Sequence, residues 1–61
     1  MNKHYTTLRI QPWEIIRRNN LNYFEGNVIK YILRYRYKNG KEDLLKAKVY
    51  IDELLKEYED E

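Results

Sequence analysis

The stretch from Leu21 to Tyr50 holds two amphipathic segments joined at Lys38-Asn39-Gly40-Lys41, and that break constrains the fold more than any other feature. In the first segment Phe24, Val28, Ile32 and Tyr35 recur at steps of four, four and three, the repeat of one helical face. In the second, Leu44, Ala47, Ile51, Leu54 and Tyr58 recur at three or four, so a second helix can pack on the first. Gly40 is able to enter the left-handed conformation that ends a helix, and a connection this short makes the two helices antiparallel neighbours. The expected architecture is all-α in a single domain over 1–61. It has an extended arm at 1–9, a short helix at 12–18 and a long helical hairpin of 22–38 and 41–58.

Local signals place the helix ends. Pro12 suits the first position of a helix, where its missing N–H leaves no bond unmade, and Arg17, Arg18, Asn19 and Asn20 close that segment with cations and turn formers. Two turns do not persist alone, so Trp13 and Ile16 are expected to lie against the hairpin. Asn22 and Glu25 fit an N-cap with a reciprocal acidic partner. Gly26 then falls inside the first turns of a helix at a cost of ~1 kcal/mol relative to Ala, which points to the close approach of another helix or a ligand, or else to a helix that begins later. Glu42 and Asp43 sit in the first turn of the next helix, where carboxylates favour the positive end of the dipole.

A chain of 61 residues removes only about 60% of its unfolded surface from water on folding. There is no cysteine for a disulfide framework or a thiolate zinc site, and one His makes no histidine cluster, so no metal or cofactor is expected. Self-association is the remaining source of stability. Seven Tyr and one Trp agree with a homo-oligomer, because such side chains are favoured where a surface is buried against a partner. No apolar run approaches the ~20 residues of a membrane span and no signal peptide opens the chain, so the expectation is a soluble, cytoplasmic protein with no membrane partner.

The formal net charge of +2 conceals an asymmetry. Residues 1–51 carry eleven Lys or Arg against four Asp or Glu, whereas residues 52–61 carry six acids against Lys56. The basic body suits an anionic partner, a nucleotide or a nucleic acid; the alternative is that the acidic tail neutralises the body within the fold or across a subunit contact. Asn27, Lys30, Arg34 and Lys38 share one helical row, and Asp43, Lys46 and Tyr50 share another. If the rows face each other, Lys30, Arg34 and Lys46 can grip a phosphate, Arg34 through its planar fork and the lysines as point charges. Tyr31 and Tyr50 then offer a stacking surface or a hydroxyl for base or ribose, Asn27 an amide edge, and Asp43 an acceptor for the sugar or an orienter of Arg34. His4 and Tyr5 are possible arm contacts. The competing reading makes the cationic row a solvated face and Asp43 a helix cap paired with Arg34 or Lys46. Signatures of catalysis are missing: no GxxxxGK[ST] loop, no Cys, no Ser, and Glu14, Glu25, Glu42 and Asp43 scattered over three segments. Enzyme activity stays open on this basis, with no catalytic residue singled out.

The run Glu25-Gly26-Asn27-Val28-Ile29-Lys30-Tyr31, followed by Arg34-Tyr35, Lys38-Asn39-Gly40, Glu42-Asp43-Leu44, Lys46-Ala47 and Tyr50, resembles the small phage-encoded SaV-like family of helical proteins. His4-Tyr5 and Gln11-Pro12 are similar to the way those proteins begin. The pattern GNxxKYxxRxxxKNGxEDLxKAxxY also resembles a region of a phage nucleotide kinase acting on deoxynucleoside monophosphates. The resemblance implies nucleotide contact at Asn27, Lys30, Arg34, Asp43, Lys46 and Tyr50. Three functions are therefore expected in competition. The leading one is stoichiometric capture of a nucleotide or nucleotide-derived immune signal in the host cytoplasm. The others are a nucleotide-processing enzyme such as a deoxynucleoside monophosphate kinase, and a nucleic-acid or protein-interaction module.

Overall fold

The computed structural model describes residues 9–59, and over them the chain is all-α with no strand. We label the helices α1 (Pro12–Arg18), α2 (Tyr23–Arg34) and α3 (Lys41–Leu55), with single 3-10 turns at Tyr35–Tyr37 and Lys56–Tyr58. The expected arm contacts His4 and Tyr5 lie outside the described residues.

Pro12 stands at the start of α1, and the helix ends through its asparagines. Asn20 takes φ +51, its N–H donates to the Arg17 carbonyl at 3.3 Å, and the Leu21 N–H donates to the Ile16 carbonyl at 3.0 Å. These two bonds satisfy carbonyls that a helix end otherwise leaves open, in the arrangement usually built on glycine. α2 opens on a complete capping box: the Glu25 N–H donates to Asn22 Oδ1 at 2.8 Å and the Asn22 N–H to Glu25 Oε1 at 2.9 Å. Gly26 is where α1 meets α2. A Cβ there would come within 3.2 Å of Ile16 Cδ1, so the missing side chain is what lets α1 settle.

The segment expected to be helical over 22–38 is α-helical only to Arg34, then tightens into the 3-10 turn. Lys38 leaves helical geometry at φ −130, ψ −94, and the Gly40 N–H donates back to the Tyr35 carbonyl at 2.8 Å. Gly40 does not adopt the left-handed helical conformation. At φ 53, ψ −121 it forms the first central residue of a type II′ turn, closed by the Glu42 N–H on the Asn39 carbonyl at 3.1 Å, and it is also the N-cap of α3. α3 likewise tightens after Leu55.

Contacts between α2 and α3 run in opposite order along the two helices. Arg34 meets Asp43 near the turn, Tyr31 meets Lys46 and Tyr50 further on, and Tyr23 and Phe24 meet Tyr50. The period expected for α3 is right, but its phase is shifted. Asp43 and Ala47 are buried and Tyr50 and Leu54 half-buried, whereas Leu44, Ile51 and Tyr58 remain 41%, 41% and 67% exposed. Trp13 borders a cleft with Ile16 and with Lys30 of α2, while 56% of it stays exposed and the Arg17 guanidinium stands 5.1 Å from its ring.

The described chain measures 44 × 27 × 13 Å, and its shortest extent is about the diameter of one helix. Ala47 is its only buried hydrophobic residue among those described. The three helices thus form a single layer, whereas ordinary domains bury their apolar faces between two.

Two substitutions with opposite signs test the backbone reading. Asn20→Gly removes left-handed strain from a non-glycine residue and should stabilise by up to ~1 kcal/mol. Gly40→Ala meets no neighbour within 4 Å, so its expected loss of at least ~1 kcal/mol comes from backbone conformation alone. Chemical denaturation of each variant beside the parent chain reads both.

Candidate functional site

The site is built where α2 and α3 meet. Lys30, Tyr31 and Arg34 lie within four residues on α2, so Lys30 and Arg34 share a face one turn apart. Lys46 and Tyr50 are likewise four apart on α3. Lys30 Nζ is 4.7 Å from the centre of the Tyr31 ring, the Arg34 guanidinium carbon 4.7 Å, and Lys46 Nζ 5.7 Å. Three cations from two helices therefore converge on one aromatic ring, all within the ~6 Å over which the ring quadrupole attracts a cation.

Tyr50 extends the aromatic surface. Its ring lies 6.0 Å from that of Tyr31 and nearly parallel, at 18°, while Tyr23 approaches edge-on at 5.9 Å and Phe24 lies tilted by 48° at 6.3 Å. A hydrogen bond shared with Tyr23, together with burial and the neighbouring phenols of Tyr23 and Tyr31, raises the Tyr50 pKa above its ordinary value. The hydroxyl therefore remains protonated at neutral pH, able to donate as well as accept.

Asp43 sits behind the patch. Its side chain is fully buried, and both oxygens are engaged: Arg34 Nε and an Arg34 terminal nitrogen each donate at 3.3 Å, the Asn39 N–H at 3.2 Å and Asn39 Nδ2 at 3.3 Å. Burial alone would raise the carboxyl pKa, but the hydrogen bonds from Arg34 and Asn39 and the Arg34 charge outweigh it, and the net shift is downward. With no exposed oxygen, Asp43 has none to offer a sugar. What it does is fix the Arg34 fork and tie the turn to the start of α3.

Asn27 is set apart from the cluster. Its side-chain amide donates to the Tyr23 carbonyl at 2.8 Å, and it lines a cleft of about 270 Å³ with Ile16, Gly26 and Lys30. A larger cleft of about 390 Å³ is bounded by Gln11, Pro12, Trp13, Ile16 and Lys30. Lys30 thus borders both clefts and the Tyr31 patch. Of the seven residues singled out from sequence, Lys30, Tyr31, Arg34, Lys46 and Tyr50 come together, Asp43 supports them from inside, and Asn27 stands one turn of α2 away.

The sequence reading missed Asn39 and Tyr23. Asn39 was legible in principle: an Asn just before the helix start, four residues ahead of an acid in the first turn, is placed to donate to that acid. Tyr23 follows the N-cap and carries no periodic signal of its own.

Cations clustered this closely repel one another, and one carboxylate offsets only one of them. Among the described residues, neither Lys30 nor Lys46 forms an ion pair. The patch is thus left with surplus positive charge beside aromatic faces. Among the same residues, no three His, Cys, Asp or Glu gather where they would hold a metal ion, and no helix is long and apolar enough to cross a membrane.

A family model described as a protein of unknown function, DUF3310, matches residues 1–52, and the chain belongs to that family. No curated protein and no solved structure matches the chain.

The Asp43 pKa is lowered on folding, so its contribution to stability is present in full above the unfolded value of ~3.9 and is lost as pH falls through the depressed folded value. Asp43→Asn should cost about 3 kcal/mol near neutral pH, since it leaves the Arg34 charge without its partner. It should also flatten the loss of stability below about pH 4. Urea titrations of both chains at a series of acidic pH values measure the two effects together.

Proposed function

We propose that this DUF3310 member is a small binding protein that captures a nucleotide or a nucleotide-derived signal stoichiometrically, as a homo-oligomer whose α2 and α3 form an antiparallel hairpin. The observation that carries this reading is the convergence of Lys30, Arg34 and Lys46 on the Tyr31 ring. A nucleotide has the complementary form: a compact anionic end joined to a flat base. Lys30 and Lys46 supply mobile ammonium donors to the phosphate, while Arg34 supplies a fork already oriented by Asp43. Tyr31 and Tyr50 supply the aromatic surface beside those cations. Among the described residues no carboxylate pairs with either lysine, so binding breaks no ion pair there.

The resemblance of the Gly26–Tyr50 pattern to phage nucleotide-handling proteins supports the same ligand class. On this reading the protein acts in the cytoplasm of a phage-infected host, lowering the free concentration of an immune messenger. It needs no cofactor, because capture requires only affinity and abundance.

A thermal-shift screen against mono-, di-, cyclic and ADP-ribose-type nucleotides, with recovery of the ligand by chromatography, tests the proposal. Ligand at ~100 times its dissociation constant adds about 2.7 kcal/mol, which in so small a domain raises the melting temperature on the order of 10 °C. Lys30→Ala and Lys46→Ala should each weaken binding by about tenfold or more with helix content unchanged. Arg34→Ala is the poorer probe, because it also strands Asp43. Recovery of altered nucleotide would replace capture with turnover. A flat screen, with salt-sensitive binding to oligonucleotides, would replace it with backbone-led nucleic-acid binding.

A further inference from the structure

The outward face of α3 carries a pattern that the nucleotide reading leaves unused. Lys41, Leu45, Lys48, Asp52, Leu55 and Glu59 follow one another at steps of four, three, four, three and four, so they form a single stripe along the helix and its terminal turn. All six are exposed: Leu45 is 52% and Leu55 55%, and the Lys48 and Asp52 side chains are 72% and 54%. The stripe lies away from the face of Asp43, Ala47 and Tyr50 that meets α2.

Its order is self-complementary when reversed. Read forward it runs cation, Leu, cation, anion, Leu, anion. Against a second copy running the other way, Lys41 meets Glu59, Leu45 meets Leu55, and Lys48 meets Asp52, each pair occurring twice. The same pairing brings the exposed Val49 beside the Val49 of the second copy on one flank of the two-fold axis, and the exposed Ile51 beside the second Ile51 on the other. A parallel copy would instead set like charge against like at four positions.

The isolated helix has its own reason to want this partner. No cation stands in the last turn of α3, and Asp52, Glu53 and Glu57 crowd the end where the helix dipole is negative, while Lys41 occupies the end where it is positive. An antiparallel second copy brings Lys41 beside Glu59 and Asp52 beside Lys48, and each helix end beside the opposite dipole end. Lys48 and Asp52 already pair within the helix at 3.5 Å, so the two copies close a four-charge ring at the centre.

The geometry points to a symmetric α3–α3 interface in which two copies of this chain pair antiparallel along the Lys41–Glu59 stripe. The inference takes only its occupant from the homo-oligomer reading above; the surface, direction and register come from the stripe.

Charge reversal tests it on the full chain. Lys41→Glu with Lys48→Glu makes the stripe wholly acidic, and Asp52→Lys with Glu59→Lys makes it wholly basic; both pairs of changes suit the helix dipole and leave the α2 contacts alone. By sedimentation, each variant alone should self-associate at least tenfold more weakly than the parent chain, and an equimolar mixture should restore a one-to-one complex. The parent chain has no cysteine, so direction can be read separately. Leu45→Cys and Leu55→Cys chains, mixed and oxidised, should cross-link to each other in preference to themselves. A parent chain that sediments as a monomer overturns both this interface and the homo-oligomer reading. A parent oligomer unaffected by charge reversal, or cysteines that link only like to like, overturns the interface alone. Should a reversed chain lose its helix by circular dichroism, the cysteine pair decides.

Discussion

One buried carboxylate holds this molecule together. Asp43 is the largest fully buried side chain among the described residues, and it takes donors from the end of α2 and from the turn while standing in the first turn of α3. A charge hidden from water is tolerable only when its lone pairs are met, and here four donors meet them. The turn, the spacing of α2 and α3, and the aim of Arg34 are fixed by the same group. In a larger protein such a tie would be one among many. Here, where Ala47 is the only fully buried hydrophobic residue among those described and the other apolar contacts are partial, it carries an unusual share of what defines the arrangement.

That tie also explains how structure and binding chemistry coexist on one pair of helices. Arg34 is committed to Asp43 on one side and lies over Tyr31 on the other. Its order comes from the fold, so little freedom is left to lose when an anion arrives. Lys30 and Lys46 have no such anchor among the described residues, and their long stems let them adjust. A rigid fork flanked by two adaptable ammonium groups suits a ligand whose phosphates vary in number or angle.

Much of this was legible in the chain because it is local. Asn22 and Glu25 form their capping box three residues apart, and Gly26 marks the close approach of Ile16. The convergence of Lys30, Arg34 and Lys46 followed from helical spacing and the break at Gly40. Tertiary choices were harder to read. Periodicity gives the repeat of a helix face but not its phase: α3 turns Asp43 and Tyr50 inward beside Ala47, where an apolar count prefers Leu44 and Ile51. The count has no means of knowing that a carboxylate with four donors is a satisfied interior group. How much of Trp13 stays in solvent was equally hard to read, since its ring borders a cleft with Lys30 yet remains 56% exposed beside Arg17. Asn20 in the left-handed region was invisible because Asn signals a turn without saying which.

Lys30 has a consequence of its own. One ammonium borders two clefts beneath α1 and also hangs over the Tyr31 ring. One conformation of this side chain does all three, its stem lining the clefts while its charge rests on the ring. The short first helix and the tyrosine patch thus share one long side chain, and a change at that position reaches both.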